Sequence, residues 1–255
     1  MSEGLVTTDE TDGVFVIAIN RPSVRNAIDL ATTEALAVAF DELDARDDLS
    51  VGILTGSGGS FCAGMDLKAF LRGERPIIPG RGFGGLTEAS PDKPLIAAVE
   101  GAALGGGCEL ALSCDMIVAA EGASFALPEV KRGLVAAAGG VLRLPRRLPF
   151  HIAMELTLTG AAFDAEQAHR WGLVNRLAEP GEALAVARQL ASEVAANGPL
   201  AIRVTKHLVM QSDEWTLAES FERQREHTVR VLQSDDAREG ARAFAEKRAP
   251  VWTGR

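Results

Sequence analysis

Gly101-Ala-Ala-Leu-Gly-Gly-Gly-Cys-Glu-Leu110 is the stretch from which the rest of the chain can be read. The apolar run before it, Pro94-Leu-Ile-Ala-Ala-Val-Glu100, reads as a buried strand, and Glu109-Leu-Ala-Leu-Ser113 after it has helix-forming composition. A strand that enters a helix through Gly105, Gly106 and Gly107 offers backbone with no Cβ in the way of a ligand. The first helical turn leaves amide N–H groups without acceptors, and the macrodipole adds partial positive charge there. Such a junction suits an oxygen that is, or becomes, negative. Glu109 lies three residues past Gly106, about one helical turn away and on roughly the same face. An anion-stabilising backbone beside a carboxylate points to catalysis.

The alternation of strand and helix extends in both directions. Val14-Phe-Val-Ile-Ala-Ile19 and Val51-Gly-Ile-Leu-Thr55 are short apolar runs typical of fully buried strands. Asp29 is the predicted N-cap of an amphipathic helix over 30–45. Gly56-Ser-Gly-Gly-Ser60 is a turn into Phe61-Cys-Ala-Gly-Met-Asp-Leu-Lys68, and Asp115-Met-Ile-Val-Ala-Ala120 is a further strand. Asp164-Ala-Glu-Gln167 has the form of a capping box on a helix that Gly172 closes, and Leu173-Val-Asn-Arg-Leu177 reads as a last short strand. This order predicts an α/β fold with parallel pairing. From Glu182 to Arg248 the pattern is helical, with breaks at Asn197-Gly-Pro199 and Ser234-Asp-Asp236. The expected organisation is an α/β core over 1–195 and a helical region over 196–255. Residues 72–93, with their Gly and Pro content, read either as a disordered surface excursion or as a lid over a pocket.

With 255 residues, 47% hydrophobic and 24% charged, the chain fits one large soluble domain or a domain with an appendage. A formal net charge of −9 argues against a general nucleic-acid binder. Cys62, Cys108 and Cys114 form neither an even set nor a metal spacing, so buried thiols in a reducing compartment are expected. Met1-Ser-Glu-Gly-Leu5 has no basic region ahead of an apolar run, and the apolar stretches stop short of a membrane span. The expectation is a cytoplasmic protein without membrane association.

Nucleotide and covalent chemistry lose ground on the motifs. Gly101 and Gly106 have the separation of a phosphate loop, but Gly107 stands where its lysine belongs, and Leu110 breaks the dinucleotide glycine pattern. Cys62 replaces the second glycine that a nucleophile elbow at Ser60 would need. His151, His169, His207 and His227 lack metal-ligand spacing and read as surface or packing residues; no metal is expected. Ala63-Gly64, Gly106, Glu109 and Glu129 survive. Each alone has an ordinary reading as a tight turn, a helix-start backbone or a first-turn acid. Spacing alone does not bring them together.

Phe61–Lys68, Gly101–Leu110 and Phe125-Ala-Leu-Pro-Glu129 together resemble the crotonase family, the enoyl-CoA hydratase/isomerase superfamily. Asn20-Arg-Pro22 and Phe244-Ala-Glu-Lys-Arg248 extend the likeness over essentially the whole chain. The resemblance implies a crotonase-like spiral of ββα units and a C-terminal helical trimerisation region, assembled as a homotrimer or homohexamer. It implies an oxyanion hole made by the backbone N–H groups of Ala63 and Gly106, which hold an acyl-CoA thioester oxygen as an enolate develops. Glu109 and Glu129 fill both family glutamate positions, as in hydratases, which add water reversibly to a 2-enoyl-CoA. Coenzyme A enters as part of the substrate, and no separate cofactor is expected. Val24 and Arg25 match positions on the adenine and pantetheine side, and Asp66, Leu67 and Lys68 resemble a pantetheine edge. Phe244 and Lys247 match positions that reach coenzyme A from a neighbouring subunit.

The likeness has departures. Family hydratases carry a Pro-Gly-Ala-Gly-Gly-Thr-Gln-Arg-Leu type segment where this chain reads Ala136-Ala-Ala-Gly-Gly-Val-Leu-Arg-Leu-Pro145. Ala136 stands in place of proline, and Ala137 in place of a glycine near the catalytic water. Gly139–Pro145 and Phe125–Glu129 are more similar to the carnitinyl-CoA dehydratase branch, whose CoA ester bears a quaternary ammonium group. That branch, an isomerase or thioester hydrolase, and a non-catalytic acyl-CoA-binding protein are the alternatives to an enoyl-CoA hydratase.

Overall fold

The polar run Val6–Thr11 forms β1 and pairs antiparallel with the buried Val14–Ile19, β2. The turn between them is Asp12-Gly13, both at positive φ, a two-residue hairpin whose twist matches its strands. A computed structural model describes residues 4–255; the reading of the chain's start falls mainly on residues 1–3, outside that range. Then come α1 (Leu30–Ala45), β3 (Val51–Gly56), α2 (Leu67–Leu71) and the small hairpin β4 (Ile77–Ile78) and β5 (Gly82–Phe83). The middle of the chain holds β6 (Leu95–Val99), β7 (Ala102–Leu104), α3 (Gly106–Ser113), β8 (Met116–Ala120), β9 (Ser124–Ala126), α4 (Gly140–Arg147) and α5 (Phe150–Thr159). β10 (Ala162–Asp164), α6 (Ala165–Arg170), β11 (Arg176–Ala178), α7 (Ala183–Ala195), α8 (Pro199–Gln211), α9 (Leu217–Leu232) and α10 (Asp235–Glu246) complete it.

The main sheet has the order β1-β2-β3-β6-β8-β11, parallel from β2 onward. A smaller sheet, β10-β9-β7, stands beside it. The chain therefore repeats one step: a long strand in the main sheet, a short strand in the second, then a helix. β6-β7-α3 and β8-β9-α4 are two such ββα steps, and the β6–β8 and β7–β9 pairings stack one on the next. Before them, Cys62 bridges Ala103 and Ile28 bridges Met65, both in parallel, so the spiral continues into the segments after β2 and β3.

Burial follows the sheet's two faces. On one, Phe15, Ile17, Leu54 and Ala97 pack with Leu36, Phe40 and Leu43 of α1 and Leu110 of α3. On the other, Val16, Ile53 and Val118 meet Ala183, Ala187 and Ala191 of α7, small residues that let the helix lie close. Asp29 caps α1 through the Thr32 amide at 2.9 Å, and Asp164 forms its capping box with Gln167, both as predicted. Cys62, Cys108 and Cys114 are buried free thiols, and burial pushes all three well above the usual thiol range.

Residues 72–93 are folded, which overturns the disordered reading. Leu86 is fully buried and Phe83 nearly so, and the Phe83 amide donates to Thr87 Oγ1 at 2.8 Å. Gly85 lies so close to α1 that a Cβ there would come within 2.9 Å of the Ala37 Cβ. Among the described residues no helix is long and apolar enough to cross a membrane.

Candidate active site

Backbone pairing gathers the separated motifs. The Leu104 amide donates to the Cys62 carbonyl at 2.9 Å, and the Gly105 amide to the Ala126 carbonyl at 2.8 Å. The Phe61–Lys68 turn, the glycine junction and the segment leading to Glu129 thus lie side by side. Gly64, at φ +91°, touches the junction: a Cβ there would stand 2.7 Å from the Leu104 carbonyl oxygen and 3.0 Å from the Gly106 nitrogen. Only glycine permits both the conformation and the approach.

Gly106 is the first residue of α3, so its N–H has no intrahelical acceptor and is a donor for a ligand oxygen. The Ala63 amide, expected to be the second donor, donates instead to the Arg25 carbonyl at 2.9 Å. That assignment is corrected, because an amide already paired inside the protein has no hydrogen left for a thioester oxygen. Two residues on, the bridge to Ile28 uses the Gly64 carbonyl and the Asp66 amide, both at 2.8 Å. Extended backbone alternates direction, so the Met65 amide faces away from that bridge, and it has no acceptor among the described residues. Met65 and Gly106, on the two segments that Gly64 brings into contact, therefore each offer an unpaired amide to a ligand.

Glu109 lies in the first turn of α3 and is 4% exposed. Its Oε1 accepts from the Gly140 amide at 2.9 Å. Burial raises its pKa to about 7; the Gly140 bond opposes that rise and the negative charge of Glu129 adds to it. Glu129 follows Pro128 in a 3-10 turn after β9, and burial raises its pKa too. Its Oε1 sits against the junction, 2.9 Å from where a Cβ on Gly105 would be. Its Oε2 is buried without a hydrogen-bond partner. A buried carboxyl oxygen with no partner is costly unless it serves a ligand or a reaction.

The sequence pattern of the enoyl-CoA hydratase/isomerase family matches residues 9–255. The chain belongs to that family. A carnitinyl-CoA dehydratase of Salmonella typhi is 49% identical over 266 aligned positions, covering all of both chains. The crystal structure of an enoyl-CoA hydratase from Mycobacterium tuberculosis H37Rv superposes with a TM-score of 0.98 at 56% identity, over 99% of this chain and 100% of that one. A carnitinyl-CoA hydratase from Mycobacterium avium superposes at 0.80 with 42% identity, over the whole of both chains. The fold is thus the crotonase fold, and the chain is a crotonase-type enzyme of the hydratase kind.

For this family member the predicted coenzyme A residues divide by location. Val24, Arg25, Leu67 and Lys68 line the exposed rim next to the Met65 turn. Asp66 is occupied structurally: its Oδ1 caps α2 through the Lys68 and Ala69 amides, and its Oδ2 pairs with Arg21 at 3.0 Å. Phe244, 88% exposed on α10, and Lys247, the exposed residue that ends that helix, stand on the surface, unlike Glu109 and the buried Glu129 carboxyl. Two site residues escape sequence reading. The Phe83 ring lies where a Cβ on Gly106 would come within 2.6 Å of it, and Asn26, fully buried, donates from Nδ2 to the carbonyls of Ser57 and Ser60. Asn26 after Arg25 has the composition of a left-handed turn, which was the one available signal.

Proposed function

We propose that the chain hydrates a 2-enoyl-CoA reversibly. The Met65 and Gly106 amides would hold the thioester oxygen, and donors aimed there act most strongly as that oxygen becomes an enolate. With its pKa at about 7, Glu109 is partly ionised at neutral pH, the Gly140 N–H favouring that form against burial, and the ionised fraction takes a proton from water. Water oxygen then bonds to Cβ, and the double-bond electrons move onto the thioester oxygen. Burial and mutual repulsion favour one protonated carboxyl in the pair. Glu129, whose buried Oε2 lacks a partner, therefore gives its own proton to Cα, and exchange with solvent then takes the proton from Glu109 and restores that of Glu129. Two buried carboxyls at the glycine junction that ends in the Gly106 amide, close enough for the charge of one to raise the pKa of the other, are the observation that carries this reading. An isomerase needs only one such group to move a proton between carbons.

A second reading, the carnitinyl-CoA dehydratase reaction, has the support of the Salmonella relative and of Phe83, an aromatic ring packed beside Gly106. Assembly through α8–α10 is proposed as well, supported by the exposed apolar Val209, Leu217, Phe221 and Leu232. The test is turnover of crotonyl-CoA, crotonobetainyl-CoA and longer 2-enoyl-CoAs, followed by loss of the conjugated thioester absorbance. Hydration of an uncharged enoyl-CoA supports the first reading, and selective use of crotonobetainyl-CoA the second. Tight binding without turnover of any of them contradicts both and leaves an acyl-CoA-binding protein.

A further inference from the structure

The folded 81–87 segment and the 138–140 turn meet at one side chain. Arg143, half-buried in the first turn of α4, donates through Nη2 to the Thr87 carbonyl at 2.6 Å and through Nη1 to the Ala138 carbonyl at 3.4 Å. Gly139 has φ +99°, and a Cβ on it would lie 2.0 Å from Nη1, so the guanidinium fills the space that this glycine leaves. The next amide, that of Gly140, is the one that holds Glu109. On the other side, Thr87 Oγ1 holds the Phe83 amide, and the Phe83 ring backs Gly106. One cation therefore touches both the support of the acid–base carboxyl and the support of the oxyanion amide.

We propose that Arg143 is a positioning residue, a clamp that fixes the Glu109 carboxyl relative to the Gly106 amide by tying the Phe83–Thr87 segment to the Ala138–Gly140 turn. The inference rests on the hydration reading for its effect on turnover. Its charge acts as well. Glu109 is faced by Glu129 from the turn after β9 and by Arg143 from α4, and the arginine favours the ionised carboxylate against burial. Around Arg143 stand Glu109 and Cys114 of α3 and its C-terminal end, with Arg146 and Arg147 on its own helix. A planar fork can reach two carbonyls at once, whereas a lysine ammonium keeps the charge on a single flexible point.

That difference makes the clamp testable with Arg143→Met and Arg143→Lys. Two quantities are measured: kcat for crotonyl-CoA hydration across pH, and the titration of Glu109. The latter comes from protein labelled with 13C in glutamate side chains, with Glu109→Gln identifying the resonance. In Arg143→Met, kcat is expected to fall about tenfold or more from misplacement, and the Glu109 titration to move to higher pH. In Arg143→Lys the titration returns toward the wild type while the loss in kcat stays. The proposal is overturned if Arg143→Met leaves the titration in place and kcat within about twofold. Should that variant not fold, an unchanged kcat in Arg143→Lys overturns it. If the wild type hydrates nothing, the proposed function fails, and an unmoved Glu109 resonance in Arg143→Met still sinks the clamp.

Discussion

Glu109 is held in a place that favours its neutral form, so Glu109→Gln should relieve the fold while disabling the enzyme. Burial, with the Glu129 charge adding to it, carries its pKa from the ordinary glutamate value of 4.5 to about 7. The sign follows from proton uptake: between those values the folded state binds more protons than the unfolded state, so stability falls as pH rises. It is fully present below about pH 4.5 and lost by the time pH passes the folded value of about 7. At about 1.4 kcal/mol per pH unit the ionised group costs roughly 3 kcal/mol at pH 8, of which roughly 2.5 is lost between pH 5 and pH 8. Glutamine does not titrate and still offers an oxygen to the Gly140 amide. Denaturant unfolding of both proteins at pH 5 and pH 8, at one fixed protein concentration, measures the difference. Glu129 remains in both, so the comparison reads position 109 together with its coupling to Glu129. The variant should gain roughly 2–3 kcal/mol on the wild type between the two pH values, while hydration falls by about 10²–10⁴. Stability–pH curves that run parallel within about 0.5 kcal/mol would refute the burial argument for Glu109.

Gly106→Ala should lower kcat on the order of 100-fold, because its Cβ would stand 2.6 Å from the Phe83 ring and displace the amide from the thioester oxygen. Phe83→Ala in the same chain should recover part of that loss, which a double-mutant cycle on kcat reads directly. Gly140→Ala sets two effects against each other. Alanine favours a helical position by up to about 1 kcal/mol, yet its Cβ would lie 3.0 Å from both Glu109 Oε1 and Leu127. Unfolding should therefore shift by less than about 1 kcal/mol while kcat falls about tenfold, and an unaffected kcat would count against the Gly140–Glu109 contact as a positioning device.

The parts of the fold legible in the sequence are those where a local cause decides the outcome. Apolar runs gave β2 and β3, and Asp29 and Asp164 gave two helix starts, because burial and capping act over a few residues. β1 was not legible: Val6-Thr-Thr-Asp-Glu-Thr11 is an exposed edge strand with no apolar alternation, made a strand by its hairpin to β2. β7, β9 and β10, with three residues each, are held by pairing across the small sheet rather than by local preference. At the site, Glu109, Glu129 and Gly106 were found from residue type and resemblance. The second donor was placed at Ala63 because sequence gives no register. Whether the amide of residue 63 or 65 is free depends on the register in which the Arg25 and Ile28 carbonyls take the amides of Ala63 and Asp66. Residues 72–93 looked loose because Gly and Pro recur in them, whereas Phe83, Leu86 and Thr87 fasten them by burial and by the Arg143 contact from far along the chain.

Isotope placement during a single turnover tests the two-carboxylate account most directly. Crotonyl-CoA is mixed with excess enzyme in water carrying both 18O and deuterium, and the product is analysed by mass and by NMR. One 18O at Cβ and one deuterium at Cα, both lost in Glu109→Gln and in Glu129→Gln, is the expected result. Deuterium entering without 18O, or full turnover surviving either substitution, would contradict hydration by this pair.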